Sequence, residues 1–290
     1  MGRKLIFLDI DGTFTEPGSN EAPASAAEAV RRAREMGNLV FLCSGRNYGM
    51  LSPVLKYGFD GYIASSGGYI VCGDQVIYDC PMTKEQQKRA MDVLEKNGIF
   101  RTVECLDGSY TDESFKEFLR EHAGEGGNSE LLRWRQQIEK NLRILPMEEY
   151  EGQPIYKMVI MSRSLEDLDE PKKALEEDFS FCIQDVDRYG IINGEIVNRQ
   201  FDKGRGVERV CRHLNVPIAD TIAFGDSMND IEMMETAGLS ICMENGSQKL
   251  KELADEVCGP VDEDGLYRAF LAHGLMADGK KSENMSRSAN

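Results

Sequence analysis

Apolar positions along the chain fall into short, unbroken runs that are followed by polar turns. Leu5-Ile-Phe-Leu8 is the first run; it leads into Asp9-Ile-Asp-Gly-Thr13 and reads as a buried strand feeding a polar turn. Ala22 to Met36 carries an alanine-rich helical pattern and stops at Gly37. A second strand, Leu39 to Cys43, ends at Ser44-Gly-Arg46. A helix is expected near Tyr48 to Lys56, then a third strand, Gly61 to Ala64, ending at Ser65-Ser-Gly-Gly68. Strand and helix alternate, which predicts an α/β fold: a Rossmann-like parallel sheet with helices on its faces.

The pattern changes after Gly68. Tyr69 to Cys72 and Gln75 to Tyr78 flank Gly73-Asp74, the signature of a tight hairpin. Thr83 is placed to cap a helix that runs to about Asn97-Gly98. Amphipathic helices then mix with strands, among them Tyr156 to Met161 and Phe179 to Ile183, with a loop at Gly124 to Ser129. The first pattern returns with a helix over Gly204 to Leu214 stopped by Pro217, a strand at Thr221 to Phe224, a helix at Ile231 to Ala237 and a strand at Leu239 to Met243. The expected organisation is a core over 1–82 and 188–275, an inserted α+β domain over 83–187, and a disordered tail over 276–290.

Composition narrows the function. The 290 residues carry a net charge of -16, which argues against nucleic acid as a partner. Hydrophobic residues make up 41% and charged residues 29%, ordinary for a globular protein. No apolar run is long enough to cross a bilayer. Lys4 is followed by only four apolar residues before Asp9, so no secretory signal is expected. The eight cysteines form no CxxC pair and read as buried thiols of a reducing, cytoplasmic protein. His122, His213 and His273 lie in helical stretches, away from the strand ends.

The candidate chemistry is acidic and sits where apolar strands end. Ligands bind at the carboxyl ends of strands in an open α/β sheet, and three of these ends carry Asp9/Asp11, Ser44 and Asp226. Asp9 and Asp11 flank Ile10; in an extended chain both side chains point the same way and repel. A divalent cation removes the conflict, and oxygen-only donors favour magnesium. Asp226 and Asp230, four apart, add carboxylates on one face of a helical first turn. Lys203, just before a helix start, suits phosphate. So do Ser44 and the backbone N–H groups of Ser44-Gly45-Arg46.

Together these residues resemble the haloacid dehalogenase superfamily, in particular its Cof-type phosphatases with a type IIB cap. The resemblance covers the chain to about Ala272. FLDIDGT (7–13), Ser44 in CSGR, Lys203 in DKG and GDSMND (225–230) are similar to the four family motifs in order and spacing. It implies a phosphomonoester hydrolase acting on a small phosphorylated metabolite: a sugar phosphate, a nucleotide or a cofactor phosphate. Asp9 would be the nucleophile and Asp11 the general acid and base. Asp9, the Asp11 backbone carbonyl and Asp226 would hold Mg2+, supported by Asp230. Gly12, Ser44, Gly45, Lys203 and Asn229 would receive the phosphoryl group. Phosphotransfer to a sugar hydroxyl, as in a phosphomutase, uses the same aspartates and remains an alternative; a catalytically silent sugar-phosphate-binding regulator is a second. Two positions depart from the family pattern, Ser66-Gly67 where relatives often have Asn-Gly, and Met243-Glu-Asn245 where they often have Met-Gly-Asn. Substrate choice is expected to lie in residues 83–187, where Arg133, Trp134 and Arg135 read as a helix with the tryptophan packed.

Overall fold

The computed structural model describes residues 2–113, 144–183 and 192–277. The loop expected at Gly124 to Ser129, the Arg133-Trp134-Arg135 segment, His122 and the tail from Gly279 lie outside the described residues.

Fourteen strands are present among them: β1 (Leu5–Leu8), β2 (Leu39–Cys43), β3 (Gly61–Ala64), β4 (Tyr69–Cys72), β5 (Gln75–Asp79), β6 (Phe100–Cys105), β7 (Ser109–Thr111), β8 (Ile144–Pro146), β9 (Ile155–Ser162), β10 (Phe179–Ile183), β11 (Ile192–Asn198), β12 (Thr221–Gly225), β13 (Ser240–Met243) and β14 (Glu256–Cys258). One sheet of eight has the order β14-β13-β12-β1-β2-β3-β4-β5. Its strands β14, β13, β12, β1, β2 and β3 pair in parallel, and β4–β5 add the expected hairpin at one edge.

Strand β1 is buried throughout because it is central and covered on both faces. Ile6 and Leu8 pack with Ala29, Val30 and Phe270 from helices Ala24–Glu35 and Gly265–Ala272. Leu5 and Phe7 pack on the other face with Val207, Val210 and Met233 from helices Lys203–Leu214 and Ile231–Thr236. Each such side chain contributes about 1.5–3 kcal/mol relative to exposure, so the polar turns at the strand ends sit on a rigid base.

Three local expectations change. The helix read over Tyr48 to Lys56 is a short α-turn, Tyr48–Leu51, followed by a 3-10 helix, Ser52–Tyr57. Pro53 lacks the N–H that an α-helix would need there. The helix Lys203–Leu214 ends on Asn215, which adopts a left-handed conformation, before Pro217 is reached. Leu275 and Met276 are buried in the first core, so packing runs past residue 275 into the segment expected to be disordered.

A second sheet of six has the order β10-β11-β9-β6-β7-β8 and is antiparallel except for β7–β8. Its strand β11 corrects the expected resumption of the core at residue 188: Ile192 to Val197 pair with Ser162 to Lys157 of β9. The run Ile192-Asn-Gly-Glu-Ile196 alternates, and only a partner strand tells which sheet it joins. Helix Lys84–Lys96, capped by the reciprocal Thr83–Gln86 box, covers one face of this sheet.

Candidate active site

The carboxyl ends of β1, β2 and β12 present Asp9, Ser44 and Asp226 side by side, because the strands pair in register as β12-β1-β2. Lys203 opens its helix behind an Asp202 cap. Its Nζ donates to Asp9 Oδ1 at 2.7 Å, Asn229 Oδ1 at 3.0 Å and Asp230 Oδ1 at 2.6 Å. One buried cation thus collects three residues from two distant segments. Asp230 belongs to a 3-10 turn, Met228–Asp230, and not to an α-helical face with Asp226. Its Oδ2 accepts from the backbone N–H groups of Asp226 and Ser227, both at 3.0 Å, which closes the turn around the carboxylates.

Asp9, Asp226 and Asp230 each offer an oxygen within 4.8 Å of the others, all buried. The electrostatics reflect that crowding. Burial first, and then Asp230 and Asp11, push the Asp9 carboxyl up to about 8 against the pull of Lys203. Burial, Asp9 and Asp230 raise Asp226 well above the ordinary carboxylate range. Lys203 is raised too: burial disfavours its charge, but Asp230 and Asp9 outweigh that. Once ionised, three carboxylates against one ammonium leave an excess of negative charge, and the donors are all oxygen. That set fits a hard divalent cation such as Mg2+.

Gly12 adopts φ +90, and a Cβ there would lie 2.4 Å from Asp226 Oδ2; the backbone can approach Asp226 only without a side chain. Asn245 Nδ2 donates to the Gly12 carbonyl at 2.7 Å and its Oδ1 accepts from Val261 N. In the sequence Asn245 stands out only as part of a departure from the family pattern; here it holds the turn that follows β1. Its neighbour Glu244 is exposed. Gly45 lies close to Asn229, whose Nδ2 would be 3.4 Å from a Cβ at that position. Ser44 is buried, and its Oγ accepts from Arg46 N at 3.1 Å.

The chain turns after Asp9 and is not extended: Thr13, Phe14 and Thr15 N–H groups all donate to the Ile10 carbonyl. The Asp11 carboxylate still pushes those of Asp9 and Asp226 up. Its Oδ1 and Oδ2 accept from Arg46 Nη2 and Nε, both at 2.7 Å, and Oδ1 also accepts from Gly18 N at 2.7 Å. A metal role for Asp11 therefore rests with its backbone carbonyl. Arg46, only 1% exposed, also reaches Asn20 and the Ser19 and Met50 carbonyls. From the sequence only the Arg46 backbone N–H had a role, toward phosphate; the guanidinium had none.

Ser65 and Ser66 both have positive φ, 50 and 57, next to Gly67 at 107. Asparagine tolerates that region better than serine, which explains why Asn is an apt residue at position 66.

The two described histidines stand apart. His213 is in the last turn of its helix, and His273 pairs with Glu256 at 3.1 Å. His273 also lines a cavity of about 750 Å3 with Lys4, Asn38 and Thr221, at the opposite edge of the sheet where strands begin. Among the described residues, no helix is long and apolar enough to cross a membrane.

Comparison with known proteins agrees with this geometry. Residues 6–270 match the family model of haloacid dehalogenase-like hydrolases. The chain is 29% identical over 280 residues to YkrA of Bacillus subtilis (strain 168), covering 95% of this chain and 100% of that one. It is 28% identical to the 5-amino-6-(5-phospho-D-ribitylamino)uracil phosphatase YwtE of the same organism, covering 91% of this chain and 95% of that one. Its fold is similar to that of the HAD subclass IIB sugar phosphatase BT4131, with a TM-score of 0.72, 23% identity, and coverage of 94% and 100%. With an inserted antiparallel cap and four acidic, lysine and glycine turns at one sheet edge, this chain belongs to the haloacid dehalogenase-like hydrolases, among their Cof-type phosphatases.

Proposed function

We propose that the protein hydrolyses the phosphomonoester of a small metabolite through an aspartyl-phosphate on Asp9. The observation that carries this reading is the Lys203 Nζ bonded at once to Asp9, Asn229 and Asp230 beside Asp226. An isolated buried cluster of like charges would destabilise the fold, and here its charge suits an anionic phosphoryl group with a cation.

Asp9 would attack phosphorus while the bond from phosphorus to the ester oxygen breaks. Asp11, protonated from solvent once it is off Arg46, would give that proton to the leaving oxygen, then take one from the water that attacks the acyl-phosphate, releasing inorganic phosphate and free Asp9. To do so Asp11 would leave its pairing with Arg46. Lys203 would neutralise phosphoryl oxygens as Asp9 approaches, and Asn229, Ser44 and the Gly12 and Gly45 backbone would orient them. Asp9, the Asp11 carbonyl, Asp226 and Asp230 would hold Mg2+. When bound, that cation supplies charge neutralisation at carboxylates and phosphoryl oxygens. A cap running from Thr83 through Asn198 would cover the reacting groups and exclude bulk water.

The test is phosphate release from a panel of sugar, nucleotide and cofactor phosphates with Mg2+, repeated after chelation. Release that stops with chelation and returns with Mg2+ is expected. Release that is indifferent to chelation would contradict the carboxylate assignment.

Metal binding should also displace protons. Without a cation, Asp9 with its carboxyl near 8 is mostly protonated at neutral pH, and Asp226 shares that direction. Cation binding needs the ionised forms, so Mg2+ affinity should rise with pH, by about tenfold per unit for each proton displaced. Titration calorimetry in two buffers of different ionisation enthalpy measures the release; identical heats in both would refute it.

A further inference from the structure

The turn that leaves β2 is bonded to the cap at three points. Lys157 Nζ donates to the Gly45 carbonyl at 2.7 Å. Asn47 caps the short helix Tyr48–Leu51, its Oδ1 accepting from Met50 N at 3.0 Å. The other end of that side chain reaches the cap: Nδ2 donates to Ser109 Oγ at 3.1 Å and to the Gly108 carbonyl at 3.3 Å. Gly49 N, an amide of the first helical turn with no partner inside the helix, donates to the Leu106 carbonyl at 2.9 Å. Leu106, Asp107 and Gly108 form the turn between β6 and β7. One cap turn is thus seated on one core turn, and Asn47 and Ser109 are fully buried where they meet.

Glycine at position 49 calls for a reason. It lies in a helix and its φ is not positive, and glycine is the poorest helix former after proline. What a side chain could not do there is admit the cap. A Cβ would lie 2.6 Å from the Asp107 carbonyl carbon and nearer still to its oxygen. Both atoms are backbone, so no rotamer change relieves the overlap, and the cap turn would have to stand off.

The same short helix reaches the acid. Arg46 Nη1 donates to the Met50 carbonyl at 3.3 Å, while its Nε and Nη2 hold Asp11. Cap and general acid are therefore attached to a single turn, from Gly45 to Met50. We infer that Asn47 and Gly49 are positioning residues that seat the cap, and that this seating decides which leaving groups are expelled: alcohols that depart only with a proton need it, and phenolates do not. This rests on the phosphatase reading above. An alkoxide is too basic to leave without a proton from a placed acid, delivered to an oxygen that the cap screens from bulk water. A nitrophenolate leaves as the anion, so its ester needs only the phosphoryl grip and Asp9.

The experiment compares p-nitrophenyl phosphate with fructose 6-phosphate, glycerol 3-phosphate and adenosine 5′-monophosphate for the wild type, Gly49→Ala and Asn47→Ser with Mg2+. Serine keeps the helix cap but is too short to reach Gly108. For the alkyl ester that the wild type turns over best, each variant should lose about 10²-fold in kcat/KM. With p-nitrophenyl phosphate each should stay within about threefold of wild type. Equal losses on both ester types are what general damage to the fold gives, and they would overturn the inference. So would no loss on either, or a wild type that hydrolyses p-nitrophenyl phosphate and none of the alkyl esters. Hydrogen exchange without substrate tests the seat itself: the Gly49 amide should exchange at least about tenfold faster in Asn47→Ser than in wild type, and equal rates would also overturn it. A wild type whose Gly49 amide is protected, yet which releases phosphate from none of these esters, would instead sink the phosphatase reading.

Discussion

Asp9→Asn should lower phosphate release by at least about 10⁴-fold while leaving the fold intact. The amide keeps the shape of the side chain, so Lys203 retains Asn229 and Asp230 as partners. What it loses is the nucleophile. A carboxylate that only held the cation would leave part of the rate, because Asp226 and Asp230 still converge there. Release within about tenfold of wild type would therefore end the nucleophile assignment.

The same substitution has a second, opposite consequence. In the metal-free protein Asp9 is raised from 3.8 to about 8. The folded state therefore binds that proton more tightly than the unfolded chain does. The stability it contributes is present below the unfolded value and is lost as pH climbs from about 4 toward about 8. Asparagine stays neutral throughout. At pH 8 with a chelator, Asp9→Asn should then melt higher than wild type, by about 3 °C for each kcal/mol recovered. At pH 4 the two should melt alike. A lower melting temperature for the variant at pH 8 would mean that the Lys203 pairing outweighs burial. Loss of activity with gain of stability would be the signature of charge held for chemistry at a cost to the fold.

How much of this was legible depends on whether a residue's role is local. Strands β1, β2, β3 and β12 were readable as apolar runs because a central parallel strand needs no alternation. Asp9, Lys203 and Asp230 were candidates because strand ends and helix starts mark where ligands gather, Asn229 only because the family resemblance implies it, and here they do converge. The direction of Asp11 was not readable. It depends on the turn closing on the Ile10 carbonyl, and that turn has no period. Strand β11 was missed because its partner β9 lies about 35 residues earlier, and register between distant strands leaves no local trace. Lys157 did leave a trace. It is a lone charge inside the otherwise apolar run Tyr156 to Met161, and an ion retained in a buried strand asks for a reason.

Arg46→Met should be the most destabilising of the single changes considered, by about 3–5 kcal/mol, because it leaves the Asp11 carboxylate buried without its guanidinium. Methionine fills much of the volume, so the loss is chiefly electrostatic. Arg46 also ties Asn20 and the Ser19 carbonyl to the turn that follows β2, so the 16–20 loop should loosen with it. Turnover should fall by about 10²-fold, since the loosened 16–20 loop would no longer fix the turn from which Asp11 reaches the leaving oxygen. Arg46→Lys keeps the charge but not the two-pronged geometry, and should fall between the two. The decisive comparison adds Asp11→Asn. With no carboxylate to strand, Arg46→Met should cost the Asp11→Asn protein at least about 2 kcal/mol less than it costs the wild type. Urea unfolding of the four proteins measures that coupling. Additive losses would mean that Arg46 stabilises the loop through Asn20 and the carbonyls alone, and that Asp11 is positioned by its own turn.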